Sequence, residues 1–191
     1  MKAVLFDMDG TLVDSEKLWD VSMHQLYTRF GSQMSPAVRD STVGGSAEDV
    51  IRIVYADLGL PADPEHMAAT ADWLHDITGD LFDAGLPWCP GARDLLDTLA
   101  EAGVPMALVT NTRRGLTERA LDSIGRHYFV ASVCGDEVPR GKPAPDPYQR
   151  AAAMLGLPTA HCLAIEDSVT GATSAEDAGC PVLVVPNDVE V

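Results

Sequence analysis

Phe6-Asp7-Met8-Asp9-Gly10-Thr11-Leu12-Val13-Asp14 follows directly on the first apolar run of the chain and crowds three carboxylates against a turn. Asp7 and Asp9, spaced i and i+2 at the end of a strand, leave it on the same side. Like charges that close repel, and without a partner one tends to stay protonated. A divalent cation offsets the repulsion, and hard oxygen ligands point to Mg²⁺ over a softer metal. The same residues also suit a plain acidic strand-to-loop turn bent at Gly10. Features further along the chain decide between the two.

Five short apolar runs read as buried strands: 3–6, 106–110, 129–134, 163–165 and 182–185. A helical pattern precedes each of the last four. In 91–103, for example, Pro90 opens the helix, Ala92, Leu95, Leu96 and Leu99 line one face, and Gly103 ends it. Further helices are expected over 116–124, 148–155 and 168–178. Alternating strands and helices imply an α/β fold, a doubly wound parallel sheet covered on both faces.

The connection after strand one departs from this rhythm. It is helical in pattern, with one stripe of Trp19, Met23, Leu26, Tyr27 and Phe30. Val50, Ile51, Val54 and Leu58 make a second, and Trp73, Ile77 and Leu81 a third. Gly31, Pro36, Gly59-Leu60-Pro61 and Gly85-Leu86-Pro87 mark loops between them. A connection this long with its own apolar faces is expected to be an inserted helical domain, 15–87, within a core of 1–14 and 88–191.

The 191 residues are 46% hydrophobic, enough for a buried core. A formal charge of −16 argues against nucleic acid as a partner and requires a local cationic site for any anionic substrate. Cys89, Cys134, Cys162 and Cys180 are scattered without metal-ligand spacing. Reduced core thiols and a reducing, cytoplasmic compartment are expected. Residues 1–6 read as a strand with no cleavage region behind them, so no signal peptide is expected. No apolar run approaches membrane-spanning length, and no membrane association is expected.

Ligands of open parallel sheets bind beyond the carboxyl ends of the strands. Polar residues of this chain fall at those ends. Strand one delivers Asp7 and Asp9; strand two delivers Thr110, Asn111 and Thr112; strand four delivers Glu166, Asp167 and Ser168. Lys142, in Gly141-Lys142-Pro143, precedes the helix leading into strand four. Taken singly, 110–112 and 166–168 also suit helix caps, and Lys142 suits the surface. Taken together they fit phosphoryl transfer. Asp7 is placed to attack phosphorus and form an aspartyl-phosphate, and Asp9 to protonate the leaving oxygen and then deprotonate water. Mg²⁺ held by Asp7 and Asp167, with the Lys142 ammonium, would neutralise the gathering anions. The Thr110 hydroxyl and the N–H groups at Asn111 are candidates to hold phosphate oxygens.

Asp7-Met8-Asp9-Gly10-Thr11, Thr110, Lys142, and Glu166-Asp167-Ser168 with Gly171 behind them stand in the order of the four motifs of the haloacid dehalogenase superfamily. The chain resembles its β-phosphoglucomutase-like branch of phosphatases and phosphomutases. The resemblance implies strand order five-four-one-two-three, with strands one and four adjacent. It implies Asp7 as nucleophile, Asp9 as acid and base with its main-chain carbonyl on the metal, and Asp167 as a ligand. Glu166 is a ligand or supports one, and Thr110 and Lys142 bind the phosphate. A second acid at Asp9 argues against dehalogenation.

The inserted segment resembles the family's helical cap, which closes over the site. Asp14-Ser15-Glu16-Lys17-Leu18-Trp19 is similar to sugar-phosphate phosphatases, and Trp19 suits either a sugar face or the cap core. Val43-Gly44-Gly45-Ser46 matches a loop entering the substrate pocket, or is a simple turn. Phosphomutases of the group carry an arginine after this loop; here Ala47 stands there, with Arg39 and Arg52 off register. Relatives usually add a helix after the last strand, so one sheet face is expected to be bare, covered by a partner or cut short. The expected activity is Mg²⁺-dependent hydrolysis of a small phosphorylated metabolite, a sugar phosphate, by a monomer or homodimer. The alternatives are a phosphomutase and a non-catalytic phosphometabolite-binding protein.

Overall fold

In the computed structural model, which describes residues 1–42 and 47–186, five parallel strands form one sheet in the order β3-β2-β1-β4-β5. The strands are β1 (Ala3–Phe6), β2 (Met106–Val109), β3 (Ala131–Val133), β4 (Cys162–Glu166) and β5 (Val182–Val184). Eight α-helices accompany them among the described residues: α1 (Glu16–Arg29), α2 (Pro36–Thr42), α3 (Ala47–Asp57), α4 (Pro64–Asp83), α5 (Ala92–Glu101), α6 (Arg114–Ile124), α7 (Asp146–Met154) and α8 (Val169–Asp177). The order matches the expected one, read from the other edge.

Side chains alternate across a strand, and both faces are filled. Val4 and Phe6 of β1 join Met106 and Leu108 of β2 on the face packed by Leu96 of α5 and Leu116, Ala120, Leu121 and Ile124 of α6. Ala3, Leu5, Ala107 and Val109 face the other way, onto Tyr148, Ala151 and Ala152 of α7 and Ala175 and Ala178 of α8. A third cluster is drawn entirely from the inserted segment: Met23, Leu26 and Tyr27 of α1, Ile51, Val54 and Tyr55 of α3, and Ala71 and Leu74 of α4. Entry and exit of that segment are tied together, because the Asp14 N–H donates to the Pro87 carbonyl at 2.8 Å and Cys89 N–H to Leu12 O at 3.0 Å.

Several boundaries differ from the sequence expectation. β3 is shorter, because a 3-10 turn over Arg126–Tyr128 holds Tyr128 in the core before the strand begins. β4 is longer and takes Glu166 into the sheet. A helix, α2, occupies the stretch read as a loop at Pro36. The buried seam of α4 is Ala71, Leu74, Thr78 and Phe82, with Trp73, Ile77 and Leu81 beside it. Thr78 hides that seam from an apolar count; its hydroxyl is satisfied by Leu74 O at 2.7 Å and Ser22 Oγ at 2.8 Å. All four cysteines are buried free thiols. Leu183 and Val184 of the β5 edge strand are exposed. No helix among the described residues is long and apolar enough to cross a membrane.

Candidate active site

β1 and β4 are neighbours, with Phe6 opposite Ile165, so the next residues along, Asp7 and Glu166, emerge side by side at the carboxyl end of the sheet. The Asp7 N–H continues the ladder onto Ile165 O at 3.0 Å. Lys142 reaches between them: its Nζ donates to Asp7 Oδ1 and to Glu166 Oε1, both at 2.6 Å. Tyr148, at the start of α7, donates its hydroxyl to the same Glu166 oxygen at 2.6 Å, and the ammonium lies 5.3 Å from the Tyr148 ring centroid. Glu166 is fully buried, so this partnering is what makes its carboxylate tolerable there.

Ligand atoms of Asp7, Glu166 and Asp167 all lie within 4.8 Å of one another. Burial pushes the Asp7 carboxyl well above its ordinary range, and Glu166, Asp167 and Asp9 push it further while Lys142 opposes them. Asp167 is pushed up to about 7, by burial and then by Glu166 and Glu16. Burial would lower the Lys142 ammonium, but Asp7 and Glu166 more than reverse this and hold it well above its usual value. A cluster of hard oxygen donors whose mutual repulsion opposes ionisation fits a divalent cation such as Mg²⁺. Two glycines make the cluster possible. A Cβ on Gly10, whose φ is +81°, would lie 2.0 Å from Asp167 Oδ2; one on Gly171 would lie 2.0 Å from the Glu166 carboxylate.

Asp9 faces the same space but is held differently. Its Oδ1 accepts from Ser15 Oγ at 2.5 Å, and its Oδ2 from Thr110 Oγ1 at 3.1 Å and Thr112 Oγ1 at 2.9 Å. Three hydroxyls from two parts of the chain, the Ser15 run and the turn after β2, thus fix one carboxylate. Thr110 in turn accepts the Thr112 N–H at 3.0 Å, a local turn just past the end of β2.

Asn111 lines the cavity, yet its side chain grips the backbone of Lys142: Oδ1 accepts the Lys142 N–H at 2.7 Å and Nδ2 donates to Lys142 O at 3.1 Å. A Cβ on Gly141 would come within 2.7 Å of that Oδ1, so the glycine lets the two loops meet. The Asn111 side chain is therefore committed to the Lys142 loop, a role that the sequence reading, which weighed only its N–H groups, did not anticipate. Ser168 caps α8 by accepting the Gly171 N–H at 3.1 Å. The cap reading thus holds for Ser168, while its neighbours Glu166 and Asp167 point into the site.

Above the carboxylates lies a cavity of about 110 Å³ reaching into the inserted helices. Trp19 lines it and also packs edge-on against His75 and Phe82, at centroid distances of 6.3 and 6.5 Å, so it is at once cavity wall and part of the aromatic packing. Gly44, Gly45 and Ser46 lie outside the described residues. Sequence reasoning missed Ser15 and Tyr148 as site-forming groups. Ser15 stood in the quoted Asp14-Ser15-Glu16 run and Tyr148 at a helix start, and neither carries a signal until a carboxylate is placed beside it.

A family model of haloacid dehalogenase-like hydrolases matches residues 1–179. Protein CbbY of Rhodobacter capsulatus is 32% identical, over 98% of this chain and 86% of its own length. Hexitol phosphatase A of Escherichia coli (strain K12) is 33% identical, over 96% of this chain and 82% of its own. Among solved structures, CbbY from Rhodobacter sphaeroides in complex with xylulose-1,5-bisphosphate superposes with a TM-score of 0.84 at 26% identity, covering 97% of this chain and 86% of that one. With the sheet order, the motif order and the family match in agreement, the chain belongs to the haloacid dehalogenase-like hydrolases.

Proposed function

We propose that this protein is a Mg²⁺-dependent phosphatase that hydrolyses a small phosphorylated metabolite, of the sugar-phosphate class, through an aspartyl-phosphate on Asp7. The observation that carries the reading is the convergence of Asp7, Lys142, Glu166 and Asp167 from distant parts of the chain onto one point at the sheet's carboxyl end. The hydrolase family and the phosphatase names of relatives such as hexitol phosphatase A support it.

Asp7, Glu166 and Asp167 would hold the cation, with the Asp9 carbonyl as a further donor, and the bound cation supplies positive charge beside the phosphoryl oxygens. The Lys142 ammonium adds a second positive charge, favours the ionised form of Asp7 against burial and the neighbouring carboxylates, and aims it. An Asp7 carboxylate oxygen attacks phosphorus as the ester bond breaks, and Asp9 gives its proton to the departing alkoxide. In the second half Asp9 takes a proton from water, water oxygen attacks the same phosphorus, and Asp7 leaves as the carboxylate with inorganic phosphate released. Ser15, Thr110 and Thr112 hold Asp9 for both transfers. The Thr110 hydroxyl also faces the phosphate, Asn111 positions Lys142, and Glu166 with Tyr148 fixes the ammonium. Residues 15–87 act as the cap that shields the site from bulk water.

The test is phosphate release from a panel of sugar and polyol phosphates, with Mg²⁺ and then with a chelator. Release with Mg²⁺ and its loss with chelator are expected. No release from any ester would overturn the reading. A phosphorylated isomer formed in place of free phosphate would replace it with the phosphomutase alternative.

A further inference from the structure

Three described cations line the cavity: Lys142 on its floor, and Arg39 and Arg113 higher up. Lys142 is committed to Asp7 and Glu166. Arg39 of α2 is paired through its Nε with Asp20 of α1. Arg113, just before α6 of the core, reaches across to the inserted helices, where Nη2 meets Glu48 Oε1 of α3 at 2.6 Å and Nη1 meets Asp72 Oδ1 of α4 at 3.4 Å. Glu16 adds a carboxyl to the cavity wall. Once one phosphate occupies the floor, a second anionic group on the same substrate meets only cations already neutralised by cap carboxylates. An anion moved out of water without a counter-charge is strongly disfavoured. The remaining wall is carbon-rich. Met23, Ile51, Ala71 and Leu74, all part of the buried cluster of the inserted segment, line the cavity beside Trp19.

Resting on the phosphatase reading, we propose that Glu48 and Asp72 are specificity-determining residues: by neutralising Arg113 they confine the site to monophosphate esters whose leaving group is uncharged and presents an apolar face. Glu48 and Asp72 do not line the cavity; they act through Arg113. Removing their charge releases a guanidinium at the cavity wall, and guanidinium suits a second phosphate because its planar fork matches phosphate oxygens. Their side chains are 63% and 73% exposed, so neutral amides are accommodated without repacking.

The experiment compares fructose 6-phosphate with fructose 1,6-bisphosphate on the full chain with Mg²⁺, for the wild type, the Glu48→Gln/Asp72→Asn double variant, and the same variant with Arg113→Gln added. The wild type is expected to favour the monophosphate in kcat/KM. The double variant is expected to raise the bisphosphate-to-monophosphate ratio by about tenfold or more, and the added Arg113→Gln to abolish the gain. A wild type that handles both equally, or a ratio the double variant leaves unmoved, overturns the proposal. Direct binding of the two sugars to Asp7→Asn, with and without the Glu48 and Asp72 changes, reads the same preference without turnover. Absent turnover on every ester, with that binding preference intact, would sink the phosphatase reading and leave the selectivity standing. Equal binding, or none, would sink the selectivity.

Discussion

Lys142 and Arg113 bring positive charge to the same cavity, and each is held by two carboxylates, but the surroundings differ. The Lys142 side chain is 4% exposed and its partners 8% and 0%, whereas Arg113 is 24% exposed with partners at 63% and 73%. On the floor, water is excluded, so each charge exists only because the others do. At the rim, water screens the pair, and it can be rearranged at little cost in folding free energy. The floor is thus suited to chemistry that must not vary, and the rim to selecting among substrates.

The contrast yields ordered tests. Asp7→Asn should lower phosphate release by about 10⁴-fold or more while circular dichroism stays native, because a nucleophile acts as part of one unit; activity near wild type would remove the floor from the chemistry. Lys142→Met should cost about 3–5 kcal/mol at neutral pH in denaturant unfolding, since it leaves buried carboxylates without their cation. The opposite end of the scale is Arg119→Ala. Arg119 of α6 likewise reaches the inserted helices, meeting Asp83 of α4 at 3.1 Å, but it is 38% exposed, and the loss should stay within about 1 kcal/mol. Equal costs for these two variants would erase the distinction between buried and rim pairs.

The two regions should also answer pH in opposite senses. Asp7 and Asp167 have raised folded values, so between about 4 and about 7 the folded chain binds more protons than the unfolded one. Stability in chelator should therefore fall as pH rises through that window, and added Mg²⁺ should raise the melting temperature more at pH 8 than at pH 5. His75, in the inserted helices, is lowered by burial and by Arg113, so it resists charging. Its contribution is present above its unfolded value near 6.5 and is lost as pH falls through the lower folded value. His75→Gln should remove that small acid-side loss without touching the Mg²⁺ response; a changed Mg²⁺ response would join the regions electrostatically.

Much of the floor was legible in the sequence because strand ends are local features. Asp7, Asp9, Glu166 and Asp167 each follow an apolar run, and parallel topology carries such residues to one edge. The supporting groups were less visible. Ser15 stood unremarked inside the 14–19 run and Tyr148 read as the start of a helix, and only a carboxylate from elsewhere gives them work. Asn111 was read through its N–H groups, and nothing in the sequence marked its side chain as the group that holds the Lys142 backbone. In the inserted segment the helical character was clear, while the buried seam of α4 was shifted because Thr78 is polar yet satisfied inside.

From the sequence alone came the alternation of strands and helices, the interrupting helical segment, and the identity of the carboxylates and lysine, since periodicity, glycine turns and residue type are written residue by residue. Only the tertiary structure decided which carboxylate each cation serves, how Asp9 is held, and that Arg113 is neutralised from across the cavity. Those facts depend on distances between side chains far apart in the chain, and a few ångströms separate a paired charge from one open to a ligand.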